Sequence, residues 1–340
     1  MDMKKVFGGL VASLLIAGTA QAAPLELNFQ SVWNPAQRQN AEAIAPWLEN
    51  IGKATNGEVK VHLFYAGGIV EANDVINGVK HGMVDMAGWS ANDIRQTPYV
   101  YMLGIPYLTK DQAHGYRVIK KLYESIPELQ KDFDYPGKLL SFGVSAPFMV
   151  ASKDIPVHSP KDMAGKRILV TSGMFGEIVE AWGGIPVQVA PGDVYVGLQR
   201  GMGEMYICGV SCVKGARVQE FCKYSVATGQ TSVVAFPYTM NRDVFEDDLT
   251  PEQQKIVVEV SKDLGEKVVA SFLKDVEDTY KEFREAGMEV YFPNEEEMAL
   301  FKEKTMVIVE KNWIPRLADA GVKDPAAWVK KYYDIAATVE

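Results

Sequence analysis

Between residues 25 and 89 the spacing of apolar positions alternates between two periods. Leu25–Val32 reads as a strand and ends at Trp33-Asn34-Pro35. From Ala36 to Thr55 the apolar positions Ala43, Ile44, Trp47, Leu48 and Ile51 fall on one helical face, and Asn56-Gly57 stops the helix. Glu58–Tyr65 alternates as a strand, with Val59, Val61 and Leu63 on one side. After the Ala66-Gly67-Gly68 loop, Asn73–His81 reads as a helix and Met83–Trp89 as a third strand. Strand, helix, strand, helix, strand predicts a parallel sheet with right-handed crossovers. Ligands of such sheets bind beyond the carboxyl ends of the strands. That singles out Trp33, Asn34, Trp89, Ser90, Ala91 and Asn92.

A second unit of the same kind begins near Phe142. Lys166–Val170 is a short strand, Thr171-Ser172-Gly173 a turn, Met174–Trp182 a helix, Val187–Ala190 a strand, and Asp193–Gln199 a further helix. Two such units predict an α/β chain of two lobes with a cleft between them. One long helix is expected over Pro251–Ala286. Thr250 is its N-cap, Pro251 suits the first helical position, Gln253 completes a capping box, and Gly287 stops it. Such a helix would run about 54 Å and cross both lobes. Gly265 interrupts it, and Val260, Leu264, Val268, Val269 and Phe272 keep no strict heptad, which argues against a coiled-coil stalk.

The first residues change the compartment. Lys4 and Lys5 precede an apolar run, Val6–Ala20, and Ala20-Gln21-Ala22 offers a small-x-small cleavage site. This is the layout of a secretory signal peptide over residues 1–22, with a run too short for a membrane anchor. The mature chain is therefore expected outside the cytoplasm, in the periplasm. The formal charge is 35 − 44 = −9, and −10 once Asp2, Lys4 and Lys5 are removed. No basic block interrupts that acidity, which argues against nucleic acid as a partner. At 47% apolar and 23% charged residues the composition is that of an ordinary folded protein. The histidines (His62, His81, His114, His158) are scattered, and Cys208, Cys212 and Cys222 match no metal-site spacing. No metal or cofactor is expected.

Several motifs, in order, carry a resemblance. Phe29-Gln30-Ser31-Val32-Trp33 is a first strand and ligand loop, and Gly82-Met83-Val84-Asp85-Met86 fits G-x-[LV]-D. Ser159-Pro160-Lys161-Asp162-Met163-Ala164-Gly165-Lys166 fits s-p-x-D-l-k-G-x-K. Asp193–Gly201, reading DVYVGLQRG, fits E-V-Y-x-A-L-Q-x-G, and Leu249–Gln254 starts a long helix. Together they resemble the substrate-binding subunits of tripartite ATP-independent periplasmic (TRAP) transporters, the DctP-type family. The resemblance implies a two-lobe periplasmic solute-binding fold with hinge strands. It implies a monomeric receptor for one small organic anion, delivered to a small and a large integral membrane subunit, and no catalysis. The implied division is 23–145 with 233–273 for one lobe and 146–232 with 274–340 for the other.

The chain departs from the family where the ligand is held. The family strand reads G-x-K-[IL]-R-V, and its arginine clamps a carboxylate; here Gly165–Val170 reads GKRILV, with Leu169 at the clamp position. A second family arginine corresponds to Phe148, and a later polar or aromatic contact falls at Cys208, after Tyr206. A planar guanidinium fork suits a planar carboxylate. Without it, two sources of donors remain. Arg167 shares the strand face of Leu169, and Arg38 follows the first ligand loop. Alternatively Thr171, Ser172 and the N–H groups of Gly173 and Met174 form an anion nest at a strand-to-helix turn, or serve only as its cap. Dispersed single donors suit the three oxygens of a sulfonate, so isethionate or taurine is the expected ligand, with a carboxylate or keto acid held in a non-standard way as the alternative. Trp33, Trp89, Tyr99, Phe148 and Tyr206 are candidates for its walls, with ordinary core packing the alternative, most of all for Tyr99. A different class, an exported enzyme with Cys208 or Cys212 as nucleophile, lacks a histidine nearby in sequence.

Overall fold

Parallel pairing is what the alternation of the first ninety residues produces. The computed structural model describes residues 23–91, 94–229 and 231–340, so the signal-peptide reading and the candidate Asn92 lie outside the described residues. The strands are β1 (Leu25–Gln30), β2 (Val59–Phe64), β3 (Met86–Gly88), β4 (Lys138–Val144), β5 (Phe148–Ser152), β6 (Arg167–Val170), β7 (Ile185–Gln188), β8 (Met205–Gly209), β9 (Tyr224–Gly229), β10 (Ala235–Met240) and β11 (Glu289–Tyr291). One sheet has the order β2-β1-β3-β10-β4 and the other β11-β9-β5-β8-β6-β7. β1 lies parallel to both β2 and β3, with Phe29 opposite Leu63 and Met86. β6 lies parallel to both β7 and β8. Each sheet forms the centre of one lobe.

Two chain segments cross between the lobes side by side. β4 runs on into β5 and β9 into β10, and the two segments pair antiparallel in both sheets. Midway, the Ser145 N–H donates to the Val234 carbonyl (2.9 Å) and the Val234 N–H to Ser145 Oγ (3.1 Å). These paired segments are the hinge strands that join the two lobes. Around the first sheet, Phe29 meets Trp47 edge-on at 5.4 Å, and Trp47 Nε1 donates to Ser261 Oγ (3.0 Å). In the second lobe, Trp182 packs on Phe301 and donates to Thr305 Oγ1 (2.7 Å).

Four sequence expectations are corrected. The first helix starts at Asn40 with a π-type turn and continues over Ala45–Ala54. Residues 34–37 form instead a loop pinned by Asn40 Nδ2, which donates to the Asn34 carbonyl (2.7 Å). The strand after Gly184 is Ile185–Gln188, not 187–190, because the Ile185 N–H bonds the Lys166 carbonyl (2.8 Å) and sets the register. The long helix is two helices, Pro251–Ser261 and Leu264–Glu285. The Gly265 N–H donates sideways to Ser141 Oγ (3.1 Å), so the ladder is interrupted there. A Cβ on Gly265 would lie 2.3 Å from the Phe142 carbonyl oxygen, so only glycine lets helix and strand approach this closely. The second of these helices touches both lobes, packing on β4 and on β11. Finally, residues 325–340 sit with the first lobe. The helix Pro325–Ala337 packs on Gln112–Ser125, Tyr332 donates to the Tyr99 carbonyl (2.9 Å), and Arg117 Nε donates to the Glu340 carbonyl (2.8 Å). Its buried face of Val329, Tyr332 and Ala336 finds its apolar cover there. Among the described residues no helix is long and apolar enough to cross a membrane.

Candidate functional site

The carboxyl ends of β1 and β3 face the carboxyl ends of β6 and β8 across the cleft. The loop after β1 is rigid. Ser31 Oγ donates to Asn40 Oδ1 (2.7 Å) and accepts the Trp33 N–H (3.2 Å), while Gln37 Oε1 accepts the Asn34 N–H (3.1 Å). Gln30 is spent on structure. Its Oε1 accepts from Ile69 and Val70 N–H, and its Nε2 donates to the Val70 carbonyl (2.9 Å). These bonds hold Trp33 with its ring edge-on to Phe236 (5.4 Å) and Phe272 (5.7 Å). From the other lobe Phe148 meets Phe175 at 5.2 Å. Together these five rings wall a chamber of about 410 Å³, completed by Asn34, Gln37, Ser90, Ser145, Cys208, Ser211 and Cys212. Among its described lining residues there is no lysine, arginine or histidine.

A second chamber, of about 500 Å³, adjoins the first and shares Ser90, Phe175 and Val234 with it. It is lined also by Tyr101, Ser172, Gly173, Glu177, Ser232, Trp313 and Arg316. Arg316 bridges the lobes. Its guanidinium donates to Glu177, on the helix Gly173–Ala181 of the second lobe, and to the Tyr101 hydroxyl of the first (3.3 Å). Burial is the largest single influence and works against its charge; the bond to Glu177, the charges of Glu177 and Tyr101 and the bond to Tyr101 together outweigh it and raise its pKa. Glu177 Oε2 is buried with no protein partner. A larger groove of about 860 Å³, between Tyr107–Lys110 and Pro293–Lys302, shares no residue with either chamber and lies away from the facing strand ends.

The candidates read from sequence divide into two groups. Trp33, Ser90, Phe148 and Cys208 line the first chamber and Ser172 the second. Ser172 is also the cap of its helix, Oγ accepting the Phe175 N–H (3.4 Å), so both readings of that turn hold at once. The remaining candidates do not reach the chambers. Trp89 is buried beneath Ser90 in the core. Arg167 is exposed at the start of β6, three residues and about 10 Å of strand from the end that faces the cleft. Strand alternation gives it the face of Leu169, which packs against Gly197 and Gly203 and lines neither chamber. Arg38 turns to Asp278 (2.7 Å) and Glu42 (3.6 Å). Leu169 is fully buried, its side chain against Gly197 and Gly203. Thr171 and Tyr206 line neither chamber, and Tyr206 is buried. Sequence reading missed Phe175, Phe236, Phe272, Glu177 and Arg316. Phe175 was within reach, being three residues past the Ser172 cap. The others come from segments far apart in the chain, with no local signal.

Comparison with known proteins bears on the family and the fold. A family model described as "Bacterial extracellular solute-binding protein, family 7" (DctP) matches residues 29–315. The 2,3-diketo-L-gulonate-binding periplasmic protein YiaO of Escherichia coli is 25% identical over 285 residues, 82% of this chain and 86% of the relative. The ectoine-binding periplasmic protein TeaA of Halomonas elongata is 23% identical over 80% of this chain and 79% of its own. A marine metagenome TRAP solute-binding protein specific for aromatic acids, solved with metahydroxyphenylacetate, superposes with a TM-score of 0.79 at 20% identity, over 93% of this chain and 99% of that one. A TRAP periplasmic protein of Bordetella bronchiseptica with bound mandelate superposes at 0.73 and 19% identity, over 92% and 99%.

Proposed function

Because this chain belongs to bacterial extracellular solute-binding protein family 7, the DctP family, we propose that it is the periplasmic receptor of a TRAP transporter. It captures one small organic anion between its lobes and hands it to a small and a large integral membrane subunit. The observation that carries this reading is the pair of joined chambers between the facing strand ends, aromatic at one end and bearing Arg316 at the other. The ligand body lies among Trp33, Phe148, Phe175, Phe236 and Phe272, where the rings exclude water and strengthen every polar contact nearby. Its anionic group lies toward Arg316, Ser172 and Ser232. A buried ion needs a countercharge, and Arg316 is the cation that lines the cleft.

The head group is a sulfonate. Leu169 removes the guanidinium fork, and what remains is a set of single donors, hydroxyls and one guanidinium already engaged by Glu177. Three tetrahedral oxygens use scattered donors better than a planar carboxylate does. The five aromatic rings favour a second reading, a carboxylate on an aromatic body, the class found with the marine and Bordetella proteins. Calorimetry against isethionate, taurine, 3-hydroxyphenylacetate and mandelate decides between head groups. Saturable binding of a sulfonate with none of the aromatic acids is the expected result; the reverse selects the second reading, and no binding of any anion removes the receptor assignment as drawn.

A further inference from the structure

The charges that line the joined chambers cancel. Among their described lining residues Arg316 is the cation and Glu177 the anion, and the two are bonded to each other. The other oxygen of that carboxylate, Glu177 Oε2, is buried with no protein partner, so no further donor offsets its charge. A simple anion enclosed here would leave one negative charge uncompensated, and burying such a charge is expensive. A ligand that brings its own positive charge leaves none. Arg316 can still take the anionic group. Its Nη2 donates to Glu177 and its Nη1 to the Tyr101 hydroxyl (3.3 Å), and a guanidinium has further N–H donors to give.

The first chamber suits that positive charge. Its described lining holds no lysine, arginine or histidine to repel a cation, and no carboxylate to pair with one. What it offers is ring surface. Trp33 stands at 72° to Phe236 and 82° to Phe272, with centroids 5.4 and 5.7 Å away, and on the other lobe Phe148 and Phe175 meet at 68°. Trp33, Phe148, Phe175 and Phe272 are buried, so the wall is largely dry. Ring faces carry the negative part of the aromatic quadrupole, and they attract a cation most strongly where water is excluded. Behind the same wall Ser211 Oγ donates to Asp275 (2.5 Å), whose other oxygen is 4.0 Å from Lys214 Nζ. A primary ammonium brings three N–H groups that need acceptors, which rings supply poorly. A fully alkylated ammonium brings none and turns apolar methyl groups to the rings. Resting on the receptor reading, we propose that the ligand is a zwitterion with a quaternary ammonium group, its cation among the five rings and its anionic group at Arg316. Glu177 is then a specificity-determining residue, because its charge disfavours an anion that arrives alone.

Calorimetry with two sulfonates of matched shape tests this. One is N,N,N-trimethyltaurine. The other is its carbon isostere, in which a tert-butyl group replaces the trimethylammonium. The pair shares its head group, its length and its apolar surface, and differs by one positive charge. The expected result is saturable binding of trimethyltaurine, about tenfold or more tighter than that of the isostere. Phe272→Leu keeps the wall apolar and removes one ring face, so it should lower that ratio through weaker trimethyltaurine binding. Glu177→Gln leaves the described lining with a net positive charge, so it should lower the ratio through tighter binding of the isostere. An isostere that binds as tightly as trimethyltaurine overturns the proposal, as does a ratio that both variants leave unchanged. In either case a sulfonate has been captured, and the receptor reading stands without this one. Binding of neither sulfonate also overturns the proposal, and the receptor reading then rests on isethionate and the aromatic acids.

Discussion

Leu169 fills with hydrocarbon the place where the family's strand motif carries an arginine. Its Cδ and Cγ atoms lie where a Cβ on Gly197 or Gly203 would meet them, at 3.0 and 2.7 Å. Leu169→Arg must therefore place a charge in a packed, dry site. We expect it to cost about 3 kcal/mol or more of stability, read by urea denaturation, without producing carboxylate binding. The countercharge should come from Arg316. Arg316→Ala should weaken ligand binding by roughly 1.5–3 kcal/mol in calorimetry, while Arg167→Ala binds as the parent does. Equal losses in both variants would return the head group to β6. Asp132 gives a pH signature at the same scale. Its carboxylate accepts the Tyr99 N–H (2.5 Å) and Val100 N–H (3.2 Å), but burial dominates and raises its pKa to about 6. A carboxyl raised in the folded state favours folding while protonated. Its contribution is full below about pH 4 and is lost as the pH rises toward 6, roughly 3 kcal/mol in total. Asp132→Asn keeps an acceptor and cannot ionise. Its stability relative to the parent should rise between pH 4 and 7 and be flat above; a constant difference across that range would mean Asp132 ionises freely.

The broken helix 251–285 is an element whose caps were plain and whose interior was not. Thr250 Oγ1 accepts the Gln253 N–H and Gln253 Oε1 accepts the Thr250 N–H, the reciprocal cap the residues announce. The interruption depends on a partner 124 residues away, Ser141. Ser141→Ala leaves the Gly265 N–H buried and unpaired, which should cost about 1–3 kcal/mol. Gly265→Ala should cost at least as much, because a Cβ there meets the Phe142 carbonyl oxygen at 2.3 Å and the Tyr116 ring at 2.6 Å, and backbone cannot yield cheaply. Denaturation of both variants checks this; a Gly265→Ala protein as stable as the parent would show that the helix can shift off β4.

At the scale of the molecule, two lobes are joined by paired strands that cross beside each other and by a helix that touches both. Arg316 ties Tyr101 of one lobe to Glu177 of the other across the second chamber. The proposed ligand anion, entering there, should compete with Glu177 for the same guanidinium, and the lobes should close around it. Closure of this kind, about a narrow hinge, should reduce the radius of gyration in small-angle scattering at saturating ligand. An unchanged profile would mean that the receptor binds without closing.

The sequence by itself determined the parallel pairing of the first strands, the two units and the family, because each is written in local spacing or in short motifs; the strand orders came only with the structure. It placed Trp33, Ser90, Phe148, Ser172 and Cys208 at the cleft, since strand ends and turns are local features too. It did not place Arg316, Glu177, Phe236 or Phe272 there, and it chose as charge candidates Arg167 and Arg38, which line neither chamber. Alternation along a strand says which face a side chain takes, not whether its end of the strand meets the cleft. Which cation stands opposite which strand end depends on how distant segments pack, and only the tertiary structure decided it. The same holds for the last helix: its apolar face specified that it must be covered, and the first lobe, not the second, had the surface to cover it.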